Sequence, residues 1–166
     1  MPNDDERFMH AALDEARRAA EAGEVPVGAV VVHAGRIIGR GRNGVEHLND
    51  PTAHAEILAI GAASQTLGTW RLAGCTLYVT LEPCPMCMGA SMNARVDRIV
   101  YGAPEPKFGA CGSVVDLRAI PRYNHEFSVQ AGVCADLSAE MLRAFFRAVR
   151  QRKATTNAPT PLTDPE

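Results

Sequence analysis

No apolar run in this sequence is long enough to cross a bilayer, so a membrane-spanning helix is not a reading it allows. The chain opens on Asn3-Asp4-Asp5-Glu6, the wrong charge for a signal peptide, and the cytoplasm is the expected compartment. The cysteines number five, so they cannot all pair within one chain, and a reducing compartment disfavours disulfides in any case. There is no surplus of either charge: the net charge is −2 and the pI about 6.2. Bulk electrostatics therefore do not announce a nucleic-acid binder, and such a role would need a local patch. No internal repeat is present.

What is present fits one globular domain. The chain has 166 residues, 46% hydrophobic and 22% charged, enough for a sizeable core. Residues 4–22 read as an amphipathic helix stopped by Gly23. Val27 to Val32 is a β-branched run suited to a buried strand, Ala34-Gly35 a turn, and Arg36 to Gly41 an edge-like return strand. Asn43 to Thr52 is polar and reads as loop. His54 opens a helix that Gly68 ends, with Thr52 or Ala53 near its cap. Cys75 to Leu81 is a second buried strand, and Pro85 begins a helix to about Ala94. Arg98 to Tyr101 is a fourth strand, 102–115 a loop, Asp116 to Ile120 a short helix, and Phe127 to Ala131 a weak fifth strand. Ser138 is expected to cap a last helix ending near Arg152. The order predicts a three-layer α/β/α domain over 1–153, with a five-stranded mixed sheet flanked by helices. Residues 154–166 carry no core-forming pattern and are expected to be disordered.

The chemistry is concentrated in two short stretches. His54-Ala55-Glu56 is followed some thirty positions later by Pro83-Cys84-Pro85-Met86-Cys87. One histidine and two cysteines suit a tetrahedral zinc ion (Zn2+), one per subunit. Three protein ligands leave a fourth position for water, the mark of a catalytic site. Cys84 and Cys87 share a helix face and sit at a helix start, where unpaired amides and the dipole favour thiolates. His54 and Glu56 lie about 200° apart around a regular helix, so both can reach one ion only near the helix end. Two thiolates cancel the zinc charge, which makes Glu56 valuable as a proton carrier. Cys75, Cys111 and Cys134 read as core or loop residues. His10, His33, His47 and His125 have no partner spacing.

The His-x-Glu…Pro-Cys-x-x-Cys signature resembles that of zinc-dependent nucleobase deaminases. Glu24 to Ala29, Asn43, Asp50 to Glu56, Leu77 to Cys84, Gly109 to Ser113, Asn124-His125 and Phe145 to Arg147 extend the likeness. Over about Arg7 to Arg152 the chain resembles the bacterial tRNA-specific adenosine deaminases of the cytidine/deoxycytidylate deaminase superfamily. That resemblance implies a cytidine-deaminase-like fold and a homodimer. It implies hydrolysis of the wobble adenosine of an arginine tRNA to inosine. By position, His54, Cys84 and Cys87 take the zinc, and Glu56 shuttles protons. Asn43 would bond the base, Val27 would wall the pocket, and the backbone at Ala55 and Pro83 would lie near the reacting edge. Glu105 and Lys107 are implied RNA contacts; Glu105 stands where the family usually has aspartate.

The expected last helix supplies a local basic patch: Arg143, Arg147, Arg150, Arg152 and Lys153, with Phe145 and Phe146 interleaved. Leu142, Phe145, Phe146 and Val149 are expected mostly in the core; Phe146, Arg147 and Arg150 are candidate contacts for the anticodon stem-loop. Two rivals stand beside the tRNA reading. One is a deaminase of a free base or nucleoside of the guanine or cytosine type. The other is a non-catalytic, zinc-stabilised RNA-binding module, which would have no use for Glu56.

Overall fold

The computed structural model describes residues 3–121 and 123–157. Helix α1 (Asp4–Glu21) starts because the Asn3 side chain accepts from the Glu6 amide at 2.8 Å, and Asp4, Asp5 and Glu6 complement the positive helix end. Strands β1 (Gly28–His33) and β2 (Arg36–Arg42) form a hairpin. Its turn residues, Ala34 and Gly35, both have positive φ, which matches the twist of paired strands. Then follow α2 (Val45–Leu48), α3 (Ala55–Leu67), β3 (Cys75–Leu81), α4 (Pro85–Asn93), β4 (Arg98–Ala103), a 3-10 turn at Leu117–Ala119, β5 (Ser128–Gln130) and α5 (Ala135–Thr156).

The sheet order is β2-β1-β3-β4-β5. β1 pairs antiparallel with both β2 and β3, while β3, β4 and β5 run parallel. Alternation along the strands sorts the core into two layers. Val30, Val32, Tyr78 and Val100 face Phe8, Met9, Ala12 and Leu13 of α1. Ala29, Val31, Leu77, Val79, Ile99 and Tyr101 face Ala55, Ala59 and Ala63 of α3 and Met88 of α4. The expected three-layer α/β/α fold with a five-stranded mixed sheet is thus what forms. Asp5 clasps it on one side: Arg98 donates to both its oxygens at 2.7 and 2.8 Å, and Tyr78 adds a third bond at 2.9 Å.

Glycines let the outer helices lie close on the sheet. A Cβ at Gly41 would stand 2.1 Å from the Ala55 carbonyl oxygen and 2.6 Å from the Ala59 nitrogen. Gly39 meets Ala59 and Ala63 in the same way. α3 therefore rests on bare backbone of β2, and this contact fixes where its first turn points.

Several boundaries differ from the sequence reading. The stretch read as loop from Asn43 to Thr52 contains α2, because the buried Glu24 carboxylate accepts from the amides of Glu46 and His47 at its start. His54 opens α3 as expected, as its N-cap, with Ala53 just before it. Ser138 caps nothing. The turn at Gly132 and Cys134, both at positive φ, starts α5 at Ala135, and Ser138 is buried inside the helix against Gly102. α5 runs on to Thr156, past the expected end at Arg152, so 154–156 are helical; residues 158–166 of the expected tail lie outside the described residues. No described helix is long and apolar enough to cross a membrane.

Candidate metal centre and its pocket

The site lies at the carboxyl end of β3, where parallel strands open toward the following helices. β3 stops at Leu81, and the chain turns through Glu82 and Pro83 into α4. Cys84 is the N-cap of that helix, extended at φ −75° and ψ 171°, and Pro85 is its first helical residue. Cys87 falls one turn on, on the same face. From the other side comes the start of α3, with His54 at its N-cap and Glu56 in its first turn. Neither His54 nor Cys84 uses its side chain to cap its helix, so both are free to point at one spot.

The imidazole Nδ1 of His54 lies 3.6 Å from the Cys84 sulfur and 3.5 Å from the Cys87 sulfur. Two ligands of one tetrahedral zinc, with N and S bonds of about 2.0 and 2.3 Å, stand roughly 3.5 Å apart. All three ligand atoms lie within 4.8 Å of one another. The residues therefore fit the ion their chemistry suggests, and they are positioned to hold it. Among the described residues no fourth His, Cys, Asp or Glu joins this group.

Charge is unevenly shared here. The Cys87 thiol, donating to Cys84, pulls Cys84 down to about 4. The same contact, with burial and the nearby Glu56, pushes Cys87 well above the ordinary thiol range. Contact with Cys84 raises His54. Burial pushes the Glu56 carboxyl up to about 7. Loading with zinc must displace the Cys87 proton, so uptake should release protons and zinc affinity should fall as the pH is lowered. Competition with a colorimetric chelator between pH 6 and 8, with proton release followed in weak buffer, checks this; a pH-independent affinity contradicts it.

A cavity of about 750 Å³ opens beside the centre. Its wall includes Val25, Val27, Asn43, His54, Ala55, Glu56, Glu82, Cys84 and Glu105. Val27, Asn43 and Ala55, the expected base-binding residues, are all part of this wall. The Asn43 amide donates to the Val25 carbonyl and accepts from the Val45 amide, both at 3.3 Å. Pro83 is buried beside Cys84 but is not part of the wall; its carbonyl accepts from the Ala110 amide at 2.8 Å. Lys107 is exposed and outside the wall, its amide bonded to Glu105.

The last helix differs most from expectation. Phe145 and Val149 are only half-buried, Phe146 is 43% exposed, and all three line the cavity instead of the core. The cause is length: α5 has 22 residues, roughly 33 Å, against about 20 Å for a strand of six. Ser138 packs at Gly102 near the end of β4, and the helix runs on past the sheet, its apolar side covering the pocket. Arg147 and Arg150 are exposed and outside the wall, and Glu140 holds Arg147 at 2.9 Å.

Sequence reasoning missed the role of Glu82, which it quoted only within a matching motif. This carboxylate is 2% exposed and accepts from the amides of Glu105, Cys111 and Ser113 at 2.9, 3.0 and 3.1 Å, and from the Ser113 hydroxyl. Burial works against its charge, but these donors win and hold it below the usual carboxylate range. The loop bearing Glu105 is thereby tied to the strand end that carries Cys84. The folded group is the stronger acid, so its contribution is present above about pH 4.3 and is lost as the pH falls through the lower folded value. Glu82→Gln should cost about 2 kcal/mol in urea unfolding and speed proteolysis of 104–115, with zinc content kept. An unchanged urea midpoint and cleavage rate would contradict the tie. The signal in the sequence was an acid between an apolar strand and the metal motif.

Comparison with known proteins agrees with this geometry. The family pattern described as "Cytidine and deoxycytidylate deaminase zinc-binding region" matches residues 2–103. The chain is 50% identical to the "tRNA-specific adenosine deaminase" of Bacillus subtilis, over 90% of this chain and 92% of that protein. It is also 50% identical, with a TM-score of 0.79, to a structure from work on A-to-I editing by tRNA:A34 deaminases, covering 82% of this chain and 99% of that one. A guanine deaminase structure from Nitrosomonas europaea is 28% identical with a TM-score of 0.72, covering 84% and 83%. With the zinc-binding region matched over more than half its length, the chain belongs to the cytidine and deoxycytidylate deaminase family.

Proposed function

We propose that this protein hydrolyses the wobble adenosine in the anticodon of a tRNA, an arginine tRNA, to inosine, releasing ammonia. The observation that carries the reading is the convergence of His54, Cys84 and Cys87 beside a buried Glu56 in one open cavity. The relative from Bacillus subtilis, named for the same activity and matched almost end to end, supports the substrate.

A zinc ion at the centre supplies Lewis-acid activation of water. Glu56 accepts a proton from the attacking water and gives it to the ring nitrogen beside the amine-bearing carbon; it then takes the proton of the newly added hydroxyl and delivers it to the amine, which leaves as ammonia as the carbonyl forms. Its burial keeps bulk water from competing for that proton. Val27 and Leu81 give the flat base apolar walls. Asn43 holds the base edge by exchanging its two long backbone bonds for stronger ones to the substrate. Glu105, Lys107, Phe146, Arg147 and Arg150, with the backbone at Ala55 and Pro83, receive the surrounding nucleotides. The protein acts in the cytoplasm as a homodimer, a state supported by the exposed Val114, Val115 and Ile120, which a second copy could cover.

Sequencing arginine tRNA after incubation with the protein tests this directly: inosine is expected at the wobble base, and unmodified adenosine there refutes it. The guanine deaminase likeness favours a second reading, a free base as substrate. Parallel assays of guanine, cytidine, adenosine and an anticodon stem-loop separate the two.

A further inference from the structure

Outside the pocket, α1 and β2 hold a cluster that the reaction does not use. The Glu15 carboxylate is 3% exposed, and three guanidinium groups face it. Arg42 donates a hydrogen bond to it at 3.2 Å. Arg18 and Arg40 stand at 3.5 and 3.6 Å, drawn by charge without a hydrogen bond, and their side chains are 61% and 49% exposed. One buried carboxylate neutralises one of these cations, and the hydrogen bond it accepts comes from Arg42. The other two keep their donors and their charge for a ligand in solvent.

The position of the cluster matters. Arg40 and Arg42 are alternate residues of edge strand β2, on the face opposite Gly39 and Gly41, which meet α3. From Arg42 the chain passes directly into Asn43, and from Arg18 it reaches Gly23 and Glu24 within two turns. Asn43, Gly23 and Glu24 all belong to the cavity wall. The described wall contains no Lys or Arg of its own, so backbone phosphates flanking an inserted base must find cations outside it.

We infer that Arg18, Arg40 and Arg42, oriented by Glu15, form a phosphate-binding surface that holds the RNA backbone beside the pocket, on a part of the chain far from the basic end of α5. The inference rests on the RNA reading above. A guanidinium suits this task because its planar donors match phosphate oxygens, and a buried carboxylate behind it restricts its rotamers before the RNA arrives.

The test uses the zinc-loaded, full-length protein and an anticodon stem-loop containing the target adenosine. Binding is measured from 50 to 300 mM salt for the parent, for the double variant Arg18→Gln/Arg40→Gln, and for Arg17→Gln. Arg17 lies on the same helix but is paired with Asp14, so it serves as the control. Each lost phosphate contact should reduce the slope of log affinity against log salt by about 0.7–0.9. The double variant should therefore bind about tenfold more weakly at low salt, with a shallower slope by one to two, while Arg17→Gln matches the parent. A single Arg40→Gln, exposed on an edge strand, should show about half the change in slope. If the parent deaminates the stem-loop and the double variant keeps parental affinity and slope, the phosphate surface is refuted and the deaminase reading stands. If the parent leaves the stem-loop unmodified, the RNA reading falls, and this surface with it.

Discussion

Glu56→Ala is expected to keep parental zinc content and melting behaviour and to lose turnover on the stem-loop by roughly 10³-fold. The side chain is not one of the three atoms that converge on the metal position, so its removal leaves the ligand set whole. It is 4% exposed in the first turn of α3 and does not cap that helix, so its loss opens space without removing a metal ligand or a helix cap. What disappears is the group able to carry a proton between water, ring and amine. Glu56→Gln sharpens the test, because it keeps the volume and hydrogen bonding but cannot cycle a proton at neutral pH. Zinc analysis beside single-turnover kinetics checks both. Turnover within tenfold of parent would remove Glu56 from the reaction. Loss of zinc in the alanine variant would make it structural, as the rival zinc-stabilised RNA-binding module requires.

Gly41→Val should have the second largest effect, although residue 41 touches neither metal nor substrate. Any side chain there meets the α3 backbone at Ala55 and Ala59 well inside contact distance. Helix α3 must lift from β2, and its first residues carry His54 and Glu56 away from Cys84 and Cys87. Overpacking of this kind costs about 1–3 kcal/mol or more. A displacement near 1 Å at reacting groups can cost about 10²-fold in rate. The expected result is a lower urea midpoint, weaker zinc retention against chelator and a turnover loss of that order. Gly61→Ala is the control: it lies within α3 with nothing within 4 Å, and should be neutral or stabilising by about 0.5–1 kcal/mol. Parental zinc retention in Gly41→Val would show that the close approach does not position the metal ligands.

Much of the chain was legible because its signals are local. The strand Cys75–Leu81 was bounded correctly by its own apolar run, and Gly68 ends α3 at positive φ as a glycine there should. The metal ligands were legible for the same reason. Cys-x-x-Cys fixes two sulfurs on one turn, and His-x-Glu at a helix start can only be presented end-on. What failed depended on partners distant in sequence. α2 is four residues long and is held by Glu24, more than twenty positions earlier, so no periodicity could show it. Ser138 looked like a cap by composition, but Gly132 and Cys134 had already turned the chain.

The sequence by itself determined the donor set, the acid that stands beside it, the number of strands and the α/β order, since each is written in residue type and short spacing. Only the tertiary structure decided which acids are buried and what they hold. Glu24, Glu82 and Glu15 read alike as charges in a row of letters, yet one starts a short helix, one ties a loop to the metal strand, and one gathers three arginines. It also decided that the aromatic pair midway along α5 lines a cavity instead of a core. A side chain's period along a helix fixes which face it shares, but what lies opposite that face depends on where the sheet stops.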